Sequence, residues 1–274
     1  MLISILGHFC AVCVGISLGL IGGGGSILAV PILAYVLGVP LKSAIVMSLV
    51  IVGIVSLIGI IPHWQQGNVN MKTAALFAPG AMVGAYIGAR IATLPIITPT
   101  FQLILFVSTM FLAAYLMIKN ASNKSETELN LSSKYVDKFP LWPIILAEGL
   151  GVGLLSGLVG IGGGFMIIPA LVLMGNTPIK EAVGTSLVII ALKSVTGFAG
   201  YLGSVSVDIN LMVTFTLAAG TGMLIGAYLT NLIQGQNLEK YFGYFVILVA
   251  IFMLFEWGLE NIFQQWTIDN YLSL

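Results

Sequence analysis

The chain has 274 residues, of which 58% are hydrophobic and 7% charged, and its mean hydropathy is +1.08. Such an excess of apolar side chains excludes a soluble globular protein, and ten Lys and Arg balanced by ten Asp and Glu leave no basic surface for nucleic acid. The composition predicts an all-α, polytopic integral membrane protein, because a helix satisfies its backbone polar groups internally where no water can.

In chain order, the apolar runs predict membrane segments at 2–20, 27–38, 43–62, 72–93, 99–118, 141–158, 165–175, 181–201, 209–232 and 239–257. About 20 helical residues cross a hydrocarbon core of about 30 Å, so the runs 27–38 and 165–175 are half length. The first run lacks a basic n-region and a small-residue cleavage site and is expected to stay in the mature chain. Cys10 and Cys13, one helical turn apart within it, are expected to pack as small residues rather than bind metal.

Between the first two runs lies "GLIGGGGSILAVP", residues 19–31, and a near copy, "GLVGIGGGFMIIP", occupies 157–169. The offset of 138 residues pairs Gly19 with Gly157 and Pro31 with Pro169. It continues without a gap to Pro40 and Pro178, Lys42 and Lys180, and the "SLV" at Ser48 and Ser186. With a small indel, "GAY" recurs at Gly84 and Gly226. The chain is therefore expected to be a duplicated unit: membrane repeat 1 at 1–118, a hydrophilic linker at 119–140, membrane repeat 2 at 141–258 and a C-terminal tail at 259–274.

Basic residues favour cytoplasmic loops. The linker carries Lys119, Lys124, Lys134 and Lys138, and Lys72 borders the 63–72 loop, so both are expected on the cytoplasmic side. If the short run after the glycines completes a crossing, the repeats are inverted and both termini lie outside; if it dips in and returns, the repeats are parallel. A tail with Glu260 and Asp269 but no Lys or Arg leans toward the inverted arrangement.

Glycine inside a helix costs about 1 kcal/mol relative to alanine, so Gly22–Gly25 are expected to unwind the helix. Unwound backbone survives at membrane depth only when buried in protein or lining a wet cavity. A half-helix is expected to start near Ser26 and another near Gly164, their free N–H groups forming an anion site to which Gly24, Gly25, Gly162, Gly163 and Gly164 give close access. By contrast, Gly80, Gly84, Gly88, Gly222 and Gly226 have the small-xxx-small spacing of helix packing. No GK[ST] ending or βαβ unit accompanies the glycines, which excludes a nucleotide-binding loop.

The twin "GLxGxGG…P" runs, each followed by "P.K.A…SL", resemble the sulfite exporter TauE/SafE family, a group similar to 4-toluene sulfonate uptake permeases, over both halves and nearly the full length. That resemblance implies movement of sulfite, sulfonates or related sulfur anions across the cytoplasmic membrane. The second copy, with "AVGTSLV" at Ala182–Val188, fits the pattern more closely than the first, which has Gly23, Ser26 and "AIVMSLV" at Ala44–Val50.

Intramembrane ionisable groups are functional candidates by default. Lys193 lies mid-span, and its counterpart in the 138-residue register is Val55. It is expected either to offer charge to the anion or to balance an acid, with Glu148 the partner. Glu148 is itself either a proton-coupling carboxylate or a side chain reaching for the interface. Ser26, Ser48, Thr185 and Ser186 stand near the breaks, where hydroxyls either donate to the anion or bond silently to helix carbonyls. Lys42 and Lys180, at the same repeat position beside Pro40 and Pro178, are expected to snorkel at an interface or else to capture incoming anions, and Arg90, His63 and Trp64 fit interface anchoring.

The expected function is a secondary transporter of a small sulfur-containing anion in the inner (cytoplasmic) membrane, working by alternating access and driven by the proton gradient or membrane potential. An anion channel or passive pore, and a carboxylate transporter, remain as alternatives. A membrane-embedded enzyme is disfavoured, since His8 and His63 are the only histidines and neither is close in sequence to an acid. No cofactor or metal is expected; the partners are a small anionic substrate and the lipid bilayer, with homodimerisation open.

Overall fold

The computed structural model describes residues 2–126, 141–159, 164–173, 177–203, 205–233 and 235–272, and these form helices and connecting turns with no strand. The first helix, α1 (Leu2–Ile21), stops at Gly22, whose φ of +59° lies in a region that L side chains rarely adopt. The chain reverses there. Gly22–Leu28 form a tight 3-10 turn, Ala29–Pro31 one α-helical turn (α2) and Ile32–Val36 a π-helical turn. A methyl group placed on Gly25 would strike the backbone of Leu18, and one on Gly7 would strike the side chain of Leu37. The segment 22–37 therefore returns antiparallel along α1 to the level of Gly7.

This corrects the expectation that the glycine run unwinds. One residue, Gly22, makes the reversal, and Gly23, Gly24 and Gly25 continue as a tight helical turn rather than as open backbone. In the second half, α6 (Leu141–Val159) is followed by α7 (Gly164–Leu173), whose ten residues match the expected half-helix and its start. Gly162 and Gly163 lie outside the described residues.

The longer helices are α3 (Leu41–Gln65), α4 (Met71–Ala92), α5 (Pro99–Glu126), α8 (Ile179–Tyr201), α9 (Ile209–Leu229) and α10 (Gly235–Leu272). Six helices among the described residues are long and apolar enough to cross a membrane, namely α3, α4, Thr100–Lys119 of α5, α8, α9 and Lys240–Gly258 of α10. Asn70 and Asp208 cap α4 and α9, each accepting a backbone N–H at 3.0 Å, from Thr73 and Leu211. Two helices outrun their expected ends: α5 continues through Glu126 into the segment assigned to the linker, and α10 runs to Leu272 through the segment assigned to the tail. Helix propagation past a membrane boundary needs no apolar side chains once the helix is nucleated, so hydropathy does not mark these ends.

Packing is reciprocal between the two halves of the chain. α1 lies parallel to α9, with Gly15 and Gly19 against Ala219 and Met223, and Gly222 and Gly226 against Val12 and Ile16. α4 lies parallel to α6 in the same manner, with Gly80, Gly84 and Gly88 against backbone of Leu146, Leu150 and Leu154. α3 and α8 cross antiparallel at the centre, Gly53 beside Ser194 and Gly197 beside Leu49, and α5 packs with α10. Lipid tails supply no hydrophobic drive between helices, so these seams depend on backbones approaching without side chains between them.

The glycine seams make a stability prediction. A methyl group at Gly84 meets the carbonyl of Leu150, whereas Gly151, on the opposite side of the α6 seam, has nothing within 4 Å. Overpacking costs about 1–3 kcal/mol, so Gly84→Ala should lower the melting temperature of the detergent-purified protein by about 3–8 °C. Gly151→Ala should leave it unchanged or slightly raised, because alanine is the better helix former.

Candidate functional site

Where the first hairpin meets the start of α7, backbone touches backbone. A methyl group on Gly23 would collide with Gly164, and one on Gly164 would collide with Gly23 and with Ile190. The reversal at Gly22 aims the first turn at α8, and α7 is held from behind by an edge-on contact of Phe165 with Phe106, ring centroids 5.6 Å apart. Gly23 donates its N–H to Ser186 Oγ at 3.1 Å, and Ser186 Oγ donates in turn to Val183 O at 2.7 Å. The first N–H of the turn is thus spoken for by a hydroxyl from the other half of the chain.

Ser186, Ile190 and Lys193 are spaced i, i+4 and i+7, which places them on one face of α8. Ser186 meets Gly23 and Ile190 meets Gly164, so Lys193 follows on the same stripe, about 10 Å beyond Ser186 along the helix. Lys193 is 1% exposed, the one Asp, Glu, Lys or Arg that is buried among the described residues. Its Nζ donates to Ser156 Oγ at 2.6 Å, a neutral partner on α6. The expected pairing with Glu148 is corrected: the half-buried Glu148 stands eight residues, about 12 Å, earlier on α6 and makes no ion pair with Lys193. Among the described residues no carboxylate pairs with the buried Lys193 amine.

The other hydroxyls divide. Ser26 and Ser48 are buried and donate to the carbonyls of Gly23 at 2.6 Å and Ile45 at 2.8 Å, three residues back in each case. Thr185 is drawn off to the loop before α4, where its Oγ1 accepts the Asn70 N–H at 2.9 Å. Hydrogen-bonding hydroxyls to helix carbonyls is the ordinary fate of Ser and Thr in an apolar helix, and here it claims the protons of Ser26, Ser48 and Ser186. Each oxygen keeps lone pairs, but none points a free donor at the hairpin contact.

Sequence reasoning missed a pair of buried latches. His63 is not an interface anchor: it is 0% exposed, and its Nε2 lies 3.0 Å from Gly19 O, the carbonyl that closes α1. Tyr201, 138 residues later, donates its OH at 2.9 Å to the carbonyl of Gly157, itself 138 residues after Gly19. The repeat register carried the signal, since both ends of both bonds obey it. Trp64 and Arg90 are exposed as expected of anchors, Arg90 lying 5.5 Å over the Tyr86 ring. At the α3–α8 crossing a cavity of about 330 Å³ opens between Gly53, Leu57, Ala191, Val195 and Phe198, with the Ser194 hydroxyl its single polar side chain, a wall suited to apolar matter rather than an anion.

A family model described as "Sulfite exporter TauE/SafE" matches residues 8–253. A protein of Xylella fastidiosa named "Probable membrane transporter protein" is 32% identical over 244 residues, covering 88% of this chain and 91% of the relative. YdhB of Bacillus subtilis, similarly named, is 30% identical over 227 residues, covering 82% and 90%. A relative with the same designation from Methanocaldococcus jannaschii is 29% identical over 261 residues, covering 88% and 91%. No solved structure matches the chain. With six apolar helices long enough to span and relatives named as membrane transporters, this is a multi-pass membrane protein whose function is membrane transport, and the chain belongs to the sulfite exporter TauE/SafE family.

Proposed function

We propose that the protein is a secondary transporter that moves a small sulfur-containing anion, such as sulfite or a sulfonate, across the cytoplasmic membrane by alternating access. The observation that carries this reading is Lys193, a buried ammonium without a carboxylate, on the same face of α8 as the two residues that touch the hairpin tips. Burying a charge at membrane depth costs about 2.5–3.5 kcal/mol on insertion scales, and a fold keeps such a group where an anion repays it. The start of α7 offers helix N-terminal N–H groups once Gly23 and Gly164 separate, whereas the Gly23 N–H is already given to Ser186.

Alternating access finds support in the reciprocal packing. Units 1–118 and 141–258 exchange their first helices, α1 against α9 and α6 against α4, and Gly23 and Gly164 face each other across the exchange. Helices in corresponding positions, α3 and α8, run antiparallel, which favours an inverted pair related by an axis in the membrane plane. The first hairpin ends beside its own start, at Leu37 and Gly7, so with three further crossings this reading has α5 leave the membrane on the side opposite to the start of α1. Lys119, Lys124, Lys134 and Lys138 favour the cytoplasm for that side.

Two measurements check this. In a thermal-shift panel, sulfite and short sulfonates at 100 times their Kd should raise the melting temperature by about 3–6 °C, and carboxylates by less. Lys193→Met removes the buried charge and should leave the unliganded protein as stable or more so, while abolishing the shift. A wild type that no anion stabilises, or a variant that keeps the shift, contradicts the site; flux that saturates and shows counterflow separates a transporter from a pore. For topology, alkaline phosphatase fused after Leu274 should be active and a fluorescent protein fused there dark. A reporter at that position that works only in the cytoplasm would refute the inverted arrangement.

A further inference from the structure

We propose that His63 is the proton-responsive latch of the first hairpin and that it couples proton binding to release of the glycine turn. The latch itself rests on geometry; its place in a transport cycle rests on the reading above. A carbonyl only accepts, so the 3.0 Å contact of Nε2 with Gly19 O requires the ring proton on Nε2. Nδ1 is then a bare lone pair, and it is buried without a partner. Gly19 O is three residues from the reversal at Gly22 and also accepts from Thr230 Oγ1 at 2.9 Å, so it is where α1, α3 and the turn after α9 are tied together. The Cβ of His63 stands beside Gly184 of α8, and the His63 carbonyl accepts the N–H of Asn68 at 2.9 Å.

A proton can add only at Nδ1. There it creates a second N–H with no acceptor and a net charge in a site closed to solvent. On the elements packed around the latch, the charged groups near it are Glu181 and Lys180 on the first turn of α8 and Lys72 on the first turn of α4, while α1, α9 and the turn Thr230–Leu232 contribute none; α10 begins at the same end with Glu239 and Lys240, and α5 ends there with Lys119, Lys124 and Glu126. The Glu181 carboxylate is engaged by Asn70 Nδ2 at 2.6 Å. Imidazolium is therefore accommodated by moving the ring toward Glu181 and the 66–70 loop, which frees Gly19 O and loosens the turn at Gly22–Leu28. The second hairpin is tied by the same bond at the same register position, but its donor is Tyr201, which does not gain a proton in the physiological range. One gate responds to protons and the other does not, the asymmetry that directional coupling needs.

The test is hydrogen–deuterium exchange on the full chain in nanodiscs at about pH 8 and pH 5.5, with intrinsic exchange rates corrected for pH. In the wild type, protection over residues 17–28 should fall about tenfold at the lower pH, while residues 150–159 stay unchanged. His63→Gln and His63→Tyr each keep a donor for Gly19 O, and both should abolish the fall. A hairpin whose protection ignores pH in the wild type, or a fall that persists in both variants, overturns the proposal. Sulfite counterflow in liposomes is measured separately: if it is absent while the pH response and its loss in the variants are seen, the substrate reading fails and the latch stands.

Discussion

The contact between Gly23 and Gly164 sets the terms for everything around it. The first turn and the start of α7 can meet at the centre of a membrane bundle only if neither brings a Cβ, and any side chain at either position would drive them apart. Gly23 and Gly164 meet backbone to backbone, with the Ile190 side chain and the Ser186 hydroxyl of α8 flanking them, so neither interlocks a side chain of its own with the other. Around it the structure is tied down: Ser186 holds the first turn, Phe106 backs α7, and glycine seams lock α1 to α9 and α4 to α6. A soft joint between stiff layers is the mechanical arrangement that a rocking transition between two packed states requires.

Against this reciprocity, the places where the two halves differ stand out. Lys193 answers to Val55, His63 to Tyr201 and Thr185 to Met47 in the 138-residue register. A residue needed only to build the fold would serve equally in both copies, as Gly19 and Gly157 or Gly22 and Gly160 do. Lys193 does the opposite, since a buried ammonium bonded to Ser156 weakens the bundle relative to an apolar side chain of similar size. Its presence on the stripe that meets the hairpin tips is a stability cost accepted at one place in the molecule, which is how binding sites commonly differ from cores.

Much of this was legible in the residues. Hydropathy marked the spanning helices, and the half-length run at 165–175 anticipated α7. Gly84 and its neighbours were readable as packing from their spacing alone. Three things were not. The reversal at Gly22 depends on a single positive φ, and a run of four glycines does not say which one carries it. The partner of Lys193 depends on the depth at which α6 passes α8, where a one-turn difference exchanges Glu148 for Ser156. His63 looked like an anchor because it precedes Trp64 and a loop, yet it sits on the inner face of α3 while Trp64 sits on the outer, a distinction of about 100° that helical periodicity contains and hydropathy averages away.

The central claim is that an anion occupies the space opened when the two glycine turns part, on the Lys193 face of α8. Its most direct test is an experimental structure of the protein in nanodiscs at saturating sulfite. The account predicts anion density within hydrogen-bond reach of the Gly23 or Gly164 backbone or of Lys193 Nζ, with Gly23 and Gly164 no longer in contact. Density at another place in the bundle while the two glycines remain pressed together would contradict it.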